Sequence, residues 1–364
     1  MKVSVMTLHF VNHYGSLLQT YATCRLFEKL GHTAEVIDYI RPNNTDEMQG
    51  IMEGLKKKGR RNPLFSAAYV LTKLLENRKR EKFSRDFLQN NVRLTSRYQT
   101  YQDLLNAPPE ADVYCTGSDQ VWNSEYNGGY LPEYFLEFAP SGKKRIAFSA
   151  SIGMDRFPEV EYAQTRDSLM KYTAISVREA SAQSILKEMG LSQTVQVLDP
   201  TLCLSKQDWM PLIPPRKVRK PYVLLYKLND APELERFVEE LSERKRLQII
   251  RVSYYLNHFK NQGKMIYSPS VGDFLSLINY ADCVVTDSFH AVAFSINFGK
   301  DLYAFYPGQY STRIESILKL TGAEHRAVNT PGYADRPINY EYVNQVLNKE
   351  RERAETFIRQ ALDR

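Results

Sequence analysis

Short apolar runs alternate with longer segments of mixed polarity along the first half of the chain. Six of these runs span four to seven residues and are rich in β-branched side chains, which is typical of buried strands in a parallel sheet. They cover residues 2–8, 34–39, 111–116, 145–151, 174–177 and 195–198. Between them, apolar residues recur at helical spacing, as in 17–30 and 180–189. This alternation predicts an α/β fold with helices on both faces of a parallel sheet.

The same alternation resumes after a stretch rich in proline and basic residues. We predict strands at 222–226, 247–252, 283–285 and 301–305, with helices at 232–245 and 271–280. The pattern predicts an N-terminal α/β domain over 1–205, with a basic helical insertion at 50–100, and a C-terminal α/β domain over 222–335. A linker over 206–221 connects the two domains. A last helix over 336–364 returns toward the first domain. We therefore expect two Rossmann-like open-sheet domains facing across a cleft.

Composition narrows the class of protein. The chain has 364 residues, of which 43% are hydrophobic, so each of two domains can bury its own core. We expect no secretory signal at the start and no membrane span, because no apolar run is long enough. The four cysteines are far apart in sequence, so we expect buried, reduced thiols of a cytoplasmic protein.

The net charge of +6 is concentrated in one segment. Residues 56–97 hold 13 Lys or Arg and 3 Asp or Glu, a local charge of +10, which leaves −4 for the rest of the chain. Two interpretations stay open, a solvated helical face or a peripheral contact with the anionic inner face of a membrane. Binding to nucleic acid is a weaker interpretation, because no stacking or groove-reading motif accompanies the charge.

Polar motifs directly follow several predicted strands. GSDQVWN occupies 117–123 and TDSFH occupies 286–290. Ligands bind at the carboxyl ends of parallel strands, beside helix N-termini, where free N–H groups point outward. His290 falls in such a first helical turn, so it is a candidate acid or anion contact; a structural histidine bonded to a nearby carbonyl is the alternative. Residues 12–16 contain one glycine where a dinucleotide fingerprint needs three, which argues against a nicotinamide cofactor.

Taken together, these motifs resemble the polysaccharide pyruvyl transferase family. The matching stretches are residues 12–22, 116–123, 147–151, 176–179, 198–201 and 286–290. Ala291 departs from the pattern, because the family more often has glycine after the histidine. The resemblance implies a two-domain, GT-B-like fold and transfer of a pyruvyl group from phosphoenolpyruvate to two hydroxyls of a sugar, giving a cyclic ketal and phosphate. The product would belong to a bacterial capsule, an exopolysaccharide or a cell-wall glycan.

The implied chemistry assigns a role to several residues. The donor carries a carboxylate and a phosphate, so its pocket needs guanidinium groups and backbone N–H donors. We expect His290 to act as general acid, and we expect donor contacts from Arg178, Ser288, Arg313 and Lys227. We expect acceptor contacts from Asn12, Gly15, Ser118, Asp119, Gln120 and Trp122, with Trp122 as an aromatic platform and Asp119 as a helix cap or a base. No metal is expected, because the sequence shows no cluster of metal-ligating residues, and no cofactor is expected, since phosphoenolpyruvate is the donor substrate.

Two other functions remain open from sequence alone. A nucleotide-sugar glycosyltransferase could use the same architecture, although the segment after residue 286 lacks the acidic and Gly-x-Pro pattern with which retaining members grip the ribose. A non-catalytic carbohydrate-binding protein would release no phosphate with any acceptor. The sequence does not identify the sugar, the hydroxyl pair, or a lipid carrier.

Overall fold

The chain folds into two compact units. The computed structural model describes residues 1–11, 13–40, 51–52, 54–55, 63–229, 231–255, 262–308 and 312–363. Unit 1 comprises Met1–Pro200 together with Arg353–Arg364, and unit 2 comprises Thr201–Glu352. Each unit contains one sheet whose paired strands are all parallel.

Unit 1 is built on a sheet of six parallel strands. They are β1 (Lys2–Met6), β2 (Thr33–Val36), β3 (Val113–Thr116), β4 (Lys144–Ala150), β5 (Ala174–Val177) and β6 (Val195–Gln196), in the spatial order β2-β1-β3-β4-β5-β6. The four residues of β3 are all buried, because helices cover both faces of a parallel sheet. The strand order reverses between β1 and β3, and the carboxyl ends of such a pair are where open α/β sheets bind ligands.

The helices of unit 1 pack on this sheet. They are α1 (Tyr14–Lys29), α2 (Pro63–Asn91), α3 (Tyr101–Asn106), α4 (Ser124–Asn127), α5 (Glu159–Leu169) and α6 (Ala180–Glu188), with a 3-10 turn at Pro132–Phe135. The long helix α2 lies within the segment where a basic helical insertion is expected, and it packs on α1. Tyr14 stacks on Phe83 with ring centroids 5.3 Å apart, and Tyr21 contacts Phe87 at 6.0 Å.

Unit 2 is built on a sheet of five parallel strands. They are β7 (Tyr222–Tyr226), β8 (Gln248–Ser253), β9 (Lys264–Tyr267), β10 (Cys283–Thr286) and β11 (Asp301–Ala304), in the order β11-β10-β7-β8-β9. The order reverses between β7 and β10, so the ends of these two strands are the favoured ligand position. The helices are α7 (Pro200–Cys203), α8 (Lys206–Trp209), α9 (Pro232–Lys245), α10 (Val271–Asn279), α11 (Phe289–Asn297), α12 (Thr312–Leu320) and α13 (Tyr340–Asp363), with 3-10 turns at Met210–Leu212 and Glu324–Arg326.

The structure differs from the sequence expectation at two places. Strand β9 was not predicted, because its four residues are exposed or half-buried and lack a continuous apolar run. The expected linker over 206–221 begins with folded structure: α8 ends in Trp209, which is fully buried and packs edge-to-face on Phe294 with centroids 4.9 Å apart. The indole Nε1 of Trp209 donates to the carbonyl of Thr201 at 3.2 Å. The first residues of the proline-rich segment therefore pack as part of unit 2.

The last helix, α13, begins in unit 2 and ends in unit 1. Its residues from Arg353 onward belong to unit 1. There, Phe357 stacks on Phe148 of β4 with ring centroids 6.4 Å apart, and Lys144 donates to the carbonyl of Leu362. These contacts cover one face of the unit 1 sheet.

Three expectations from the sequence can be compared with the structure. The α/β class with parallel sheets is confirmed. All four cysteines are buried and free, which confirms the expected thiols. Within the part of the chain that the structure describes, no helix combines the length and the apolar character that crossing a bilayer requires.

Candidate functional site

Two glycines hold the loop that follows β3 in unit 1. A Cβ at Gly117 would lie 3.0 Å from Cβ of Thr7 and 3.0 Å from Cγ1 of Val5, so a side chain there would push the loop away from β1. A Cβ at Gly153, where φ is +63°, would lie 2.6 Å from Cδ of Gln120. The loop can pack at this edge only because both positions lack a side chain.

Two other residues at this edge adopt a left-handed backbone without being glycine. Asp119 has φ = 75° after β3, and Ser149 has φ = 54° near the end of the neighbouring strand β4. The N–H of Ser151 donates to the carbonyl of Asp119 at 3.1 Å, which fixes the loop against β4. Such backbone typically costs about 1–3 kcal/mol per residue and persists where surrounding contacts enforce it, often at functional sites.

Arg178, which follows β5, lies at the centre of a buried charge cluster. Its side chain is 2% exposed, and its guanidinium lies 2.9 Å from Oδ2 of Asp199, 3.5 Å from Oδ1 of Asp119 and 3.9 Å from Oε1 of Glu179. Burial alone would lower the pKa of Arg178, but the charges of Glu179, Asp199 and Asp119 outweigh it and raise the pKa. The guanidinium therefore stays charged among three acidic side chains.

Serine hydroxyls donate hydrogen bonds to these carboxylates. Ser16, in the first turn of α1, donates to Oδ2 of Asp119 at 2.7 Å. Ser118 donates to Oδ2 of Asp199 at 3.4 Å, and Ser151 donates to the third carboxylate of the cluster. The result is a preorganised and largely buried cluster along the carboxyl ends of β3, β4, β5 and β6, in which the partly exposed carboxylate of Asp119 is suited to accept a hydrogen bond from a sugar hydroxyl.

His13 lies near Asp119 and was not singled out from the sequence. It occupies the N-cap position of α1. Desolvation by neighbouring protein atoms and the charge of Arg80 lower its pKa, and the charge of Asp119 opposes the shift. A signal was present in the sequence, because His13 starts a helix after a strand just as His290 does.

A second histidine at this edge is also missing from the sequence-based assignment. His9 follows β1 and is 1% exposed, with Nε2 lying 3.1 Å from Oδ1 of Asp38 and Nδ1 lying 3.3 Å from the carbonyl of Thr7. The Nε of Arg97 donates to Oδ2 of Asp38 at 3.1 Å. The ring is fully enclosed, so His9 supports the edge from inside.

The other acceptor residues expected in unit 1 have different surroundings. Gly15 is buried in the first turn of α1. Gln120 is nearly buried, and its Oε1 accepts a hydrogen bond from Nδ2 of Asn123 at 3.0 Å. Asn12 lies outside the described residues.

Trp122 is a core residue, which corrects the expected aromatic platform. The side chain is 1% exposed, and its ring stacks on Phe135 with centroids 5.8 Å apart and meets Tyr172 edge-on at 6.1 Å. The indole Nε1 donates to the carbonyl of Tyr134 at 3.1 Å. Both ring and N–H are thus used inside unit 1, because a side chain of this size stabilises the core most when fully buried.

In unit 2, the motif at 286–290 forms the turn between β10 and α11. Ser288 is buried at the N-cap, and its N–H donates to Oγ1 of Thr286 at 3.0 Å. His290 follows in the first turn and is half-buried, with its ring 5.1 Å from that of Phe289 at an interplanar angle of 77°. The imidazole therefore lies at a helix N-terminus, where the helix dipole favours a bound anion.

Arg313 lies next to the same turn. Its guanidinium carbon is 5.6 Å from the ring centroid of Phe289, the residue before His290. A cation held over an aromatic face contributes about 0.5–2 kcal/mol to the arrangement, depending on exposure. The structure thus places Ser288 and His290 in this turn and the guanidinium of Arg313 over the ring of Phe289, the residue between them.

Asp287 connects this turn to the end of β7. Its carboxylate accepts hydrogen bonds from the backbone N–H of Leu228 at 2.7 Å and from the backbone N–H of Asn229 at 3.0 Å. The side-chain amide of Asn229 adds a third bond at 3.0 Å. Asp287 therefore holds together the two strand ends where the strand order reverses, and its charge is directed at protein donors.

Lys227 follows β7 but is engaged by an acidic side chain. Its Nζ lies 2.8 Å from Oε1 of Glu235 on α9, and Arg251 binds the other carboxylate oxygen of Glu235. Burial alone would raise the pKa of Glu235, but the hydrogen bonds and charges of Lys227 and Arg251 outweigh it and lower the pKa. A donor contact by Lys227 would require competition with this ion pair.

The residues expected to bind the donor are divided between the two units. Ser288, Arg313 and Lys227 belong to unit 2, whereas Arg178 belongs to unit 1 and is surrounded by its carboxylates. Among the residues that the structure describes, no three His, Cys, Asp or Glu side chains are grouped so that they could hold a metal ion.

Comparison with known proteins identifies the family. A family model described as polysaccharide pyruvyl transferase matches residues 13–308, which is most of the chain. The chain belongs to the polysaccharide pyruvyl transferase family. No sequence among curated proteins matches this member of the family.

Solved structures of low sequence identity align with this pyruvyl transferase family member. A UDP-GlcNAc 2-epimerase from Methanocaldococcus jannaschii aligns with a TM-score of 0.50 and 14% identity, covering 96% of this chain and 92% of that chain. A UDP-GlcNAc 2-epimerase from Neisseria meningitidis, bound to UDP-GlcNAc, aligns with a TM-score of 0.48 and 12% identity, covering 99% and 94%. At such identity, the first similarity shows the fold alone, and that fold is GT-B-like.

Proposed function

We propose that this protein transfers the pyruvyl group of phosphoenolpyruvate to two hydroxyls of one sugar, in a polysaccharide or in its lipid-linked precursor. The methylene carbon of the donor gains a proton, a first hydroxyl oxygen bonds to the neighbouring carbon, and phosphate leaves with its bridging oxygen. The second hydroxyl then closes the cyclic ketal, and both hydroxyl protons pass to bases or solvent. Membership of the family supports the reaction class.

The observation that carries the donor side is the position of His290. It lies in the first turn of α11, next to Phe289 and the guanidinium of Arg313, at the reversal point of the unit 2 sheet. In this proposal, Arg313 and the N–H groups at the helix start bind the carboxylate and phosphate, and His290 delivers the proton to the methylene carbon. A positioned general acid contributes about 10²–10⁴-fold to the rate.

The acceptor side of the proposal is the carboxyl edge of the unit 1 sheet. Asp119, Ser118 and Gln120 lie in a loop fixed by Gly117 and by the hydrogen bond from Ser16. Asp119 is only partly buried, so its carboxylate can accept a hydrogen bond from a sugar hydroxyl and take its proton. Asn12 and Gly15 remain proposed acceptor contacts.

The test uses the full chain in two steps. Calorimetric titration with phosphoenolpyruvate is expected to show one binding site, while UDP-sugars bind no better than free UDP. Phosphate release is then measured with a panel of capsular, exopolysaccharide and cell-wall glycans, and the product is checked for a new ketal carbon by NMR. Binding of a nucleotide sugar without binding of phosphoenolpyruvate would contradict the proposal and indicate a glycosyltransferase.

A further inference from the structure

Helix α2 exposes an apolar and basic face on unit 1. Leu71 is 59% exposed and Leu75 is 52% exposed, which is unusual for leucines in the middle of a long helix. Arg78 and Lys82 are also exposed. The intervals between these four residues are four, three and four, so all four lie on one side of the helix.

The opposite side of α2 is buried and fixes the orientation of the helix. Glu76, Ser84, Phe87 and Leu88 are buried in unit 1. Phe87 contacts Tyr21 of α1 with ring centroids 6.0 Å apart. The helix therefore cannot turn its exposed leucines toward the core without breaking these contacts.

Charge distribution indicates what can cover this face. The helix holds six basic and three acidic residues. Two of the acidic residues are engaged within the helix, because Lys73 lies 2.6 Å from Glu76 and Arg85 pairs with Glu81. The third, Asp86, is exposed one turn beyond Lys82, so between Leu71 and Lys82 the outward face presents cations next to leucines, a combination that complements a surface with both negative charge and apolar depth.

We propose that the outward face of α2, defined by Leu71, Leu75, Arg78 and Lys82, docks on the surface of an anionic lipid bilayer. The leucines would enter the boundary between headgroups and acyl chains, and the cations would lie at the phosphates. Duplex nucleic acid could satisfy the cations but would leave the leucines in water, so the lipid surface accounts for both.

The inner side of α2, opposite the docking face, packs beside the proposed acceptor edge. Phe83 of α2 stacks on Tyr14, the first residue of α1, at 5.3 Å, and Ser16 in the same turn bonds to Asp119. A bilayer under α2 would present a lipid-linked sugar near this edge. This consequence rests on the proposed function, whereas the docking itself does not.

Vesicle flotation of the full chain tests the docking. Vesicles of phosphatidylcholine alone are compared with vesicles containing about 30 mol% phosphatidylglycerol. We expect binding to the anionic vesicles only, and weaker binding in roughly 0.5 M salt, which screens charges within a few ångströms. Equal binding to both vesicle types, or none to either, would overturn the proposal.

Two double variants separate the charge from the apolar contribution. R78Q/K82Q is expected to lose about 30-fold in vesicle partitioning, since each basic residue contributes about fivefold. L71Q/L75Q is expected to lose about tenfold with its net charge unchanged. All four side chains are exposed, so the thermal unfolding of both variants should match the parent chain.

A matched control removes the same number of charges elsewhere on unit 1. Lys143 and Lys187 are exposed and far from α2 in sequence, so K143Q/K187Q should keep its vesicle binding within about twofold. An equal loss in this control would show a non-specific charge effect and overturn the proposal.

Loss of duplex DNA binding in R78Q/K82Q, with no vesicle binding by the parent chain, would also overturn it. Phosphoenolpyruvate titration in free solution is independent of these outcomes, so a failure of docking is distinguishable from a failure of the proposed reaction.

Discussion

The two sheet edges of this protein have opposite electrostatic character. At the edge of unit 1, one guanidinium, that of Arg178, lies among the carboxylates of Asp119, Glu179 and Asp199. At the edge of unit 2, His290 and Arg313 flank a helix start, and Asp287 is directed at backbone N–H groups. The unit 2 edge lies where the strand order reverses, and the unit 1 edge extends from that point, after β3, to the ends of β5 and β6; one is acidic and the other is open to anions.

This difference separates topology from chemistry. Topology places a ligand at each reversal point, but the side chains decide which ligand can be stabilised there. A donor with a carboxylate and a phosphate would be repelled by the carboxylates of unit 1, whereas neutral sugar hydroxyls can donate to them. We therefore propose the donor at unit 2, the sugar at unit 1, and a positioning role for Arg178.

The largest effect on the reaction rate is expected from a substitution of His290. Replacement of His290 by Ala should lower the rate of phosphate release about 10²–10⁴-fold, because it removes the proposed acid while the guanidinium of Arg313 remains. Calorimetry should show donor affinity within a few-fold of the parent chain. The matched control is His32→Ala, at the turn after α1, which should leave the rate unchanged. A full rate in His290→Ala would exclude the imidazole as the acid.

Arg178 should affect stability more than donor binding. Arg178→Ala leaves buried carboxylates without their counter-ion, so we expect a loss of about 3–5 kcal/mol in the free energy of unfolding. Urea titration measures this loss, and Arg156→Ala, an exposed arginine of unit 1, is the control. If stability is retained while affinity for phosphoenolpyruvate falls more than about tenfold, Arg178 is a donor contact and the separation of roles between the units is wrong.

Arg313 should affect donor binding more than stability. Arg313→Ala is expected to raise the dissociation constant of phosphoenolpyruvate about 10- to 100-fold, since a hydrogen bond to a charged group is worth about 1.5–3 kcal/mol. Arg313→Lys should fall in between, because it keeps the charge but loses the planar fork. Lys319→Ala, on the same helix and exposed, serves as the control in the calorimetric titration. Unchanged affinity in Arg313→Ala would remove unit 2 as the donor side.

The smallest effect is expected from a substitution of Glu235, in the pH dependence of the free energy of unfolding. Its pKa is lowered in the folded state, so its carboxylate stabilises the fold above the ordinary Glu pKa of about 4.3, and this contribution disappears as pH falls through the folded pKa. We expect Glu235→Gln to be about 1–2 kcal/mol less stable near neutral pH, with the difference closing in acid. Urea titrations across pH, with the exposed Glu240→Gln as control, measure it. A difference that stays constant with pH would exclude the ion pair with Lys227 as its source.

The positions of the two candidate edges could be predicted because they depend on local pattern. Ser288 and His290 follow an apolar run that ends at Thr286, and such a run forms a strand in any α/β arrangement. Trp122 could not be placed in the same way. Its neighbours Phe135 and Tyr172 come from separate parts of the chain, and no local pattern distinguishes a buried indole from a platform for a sugar.

The sequence by itself determined the alternation of strands and helices, and with it the parallel sheets, the turns at strand ends and the family motifs. Only the tertiary structure decided the electrostatics of those turns. Arg178 and Asp199 are 21 residues apart in sequence and Asp119 is further still, yet their charged atoms lie within 3.5 Å of the guanidinium. The energy of a charge depends on its distance to other charges and on its burial, and both quantities are set by folding.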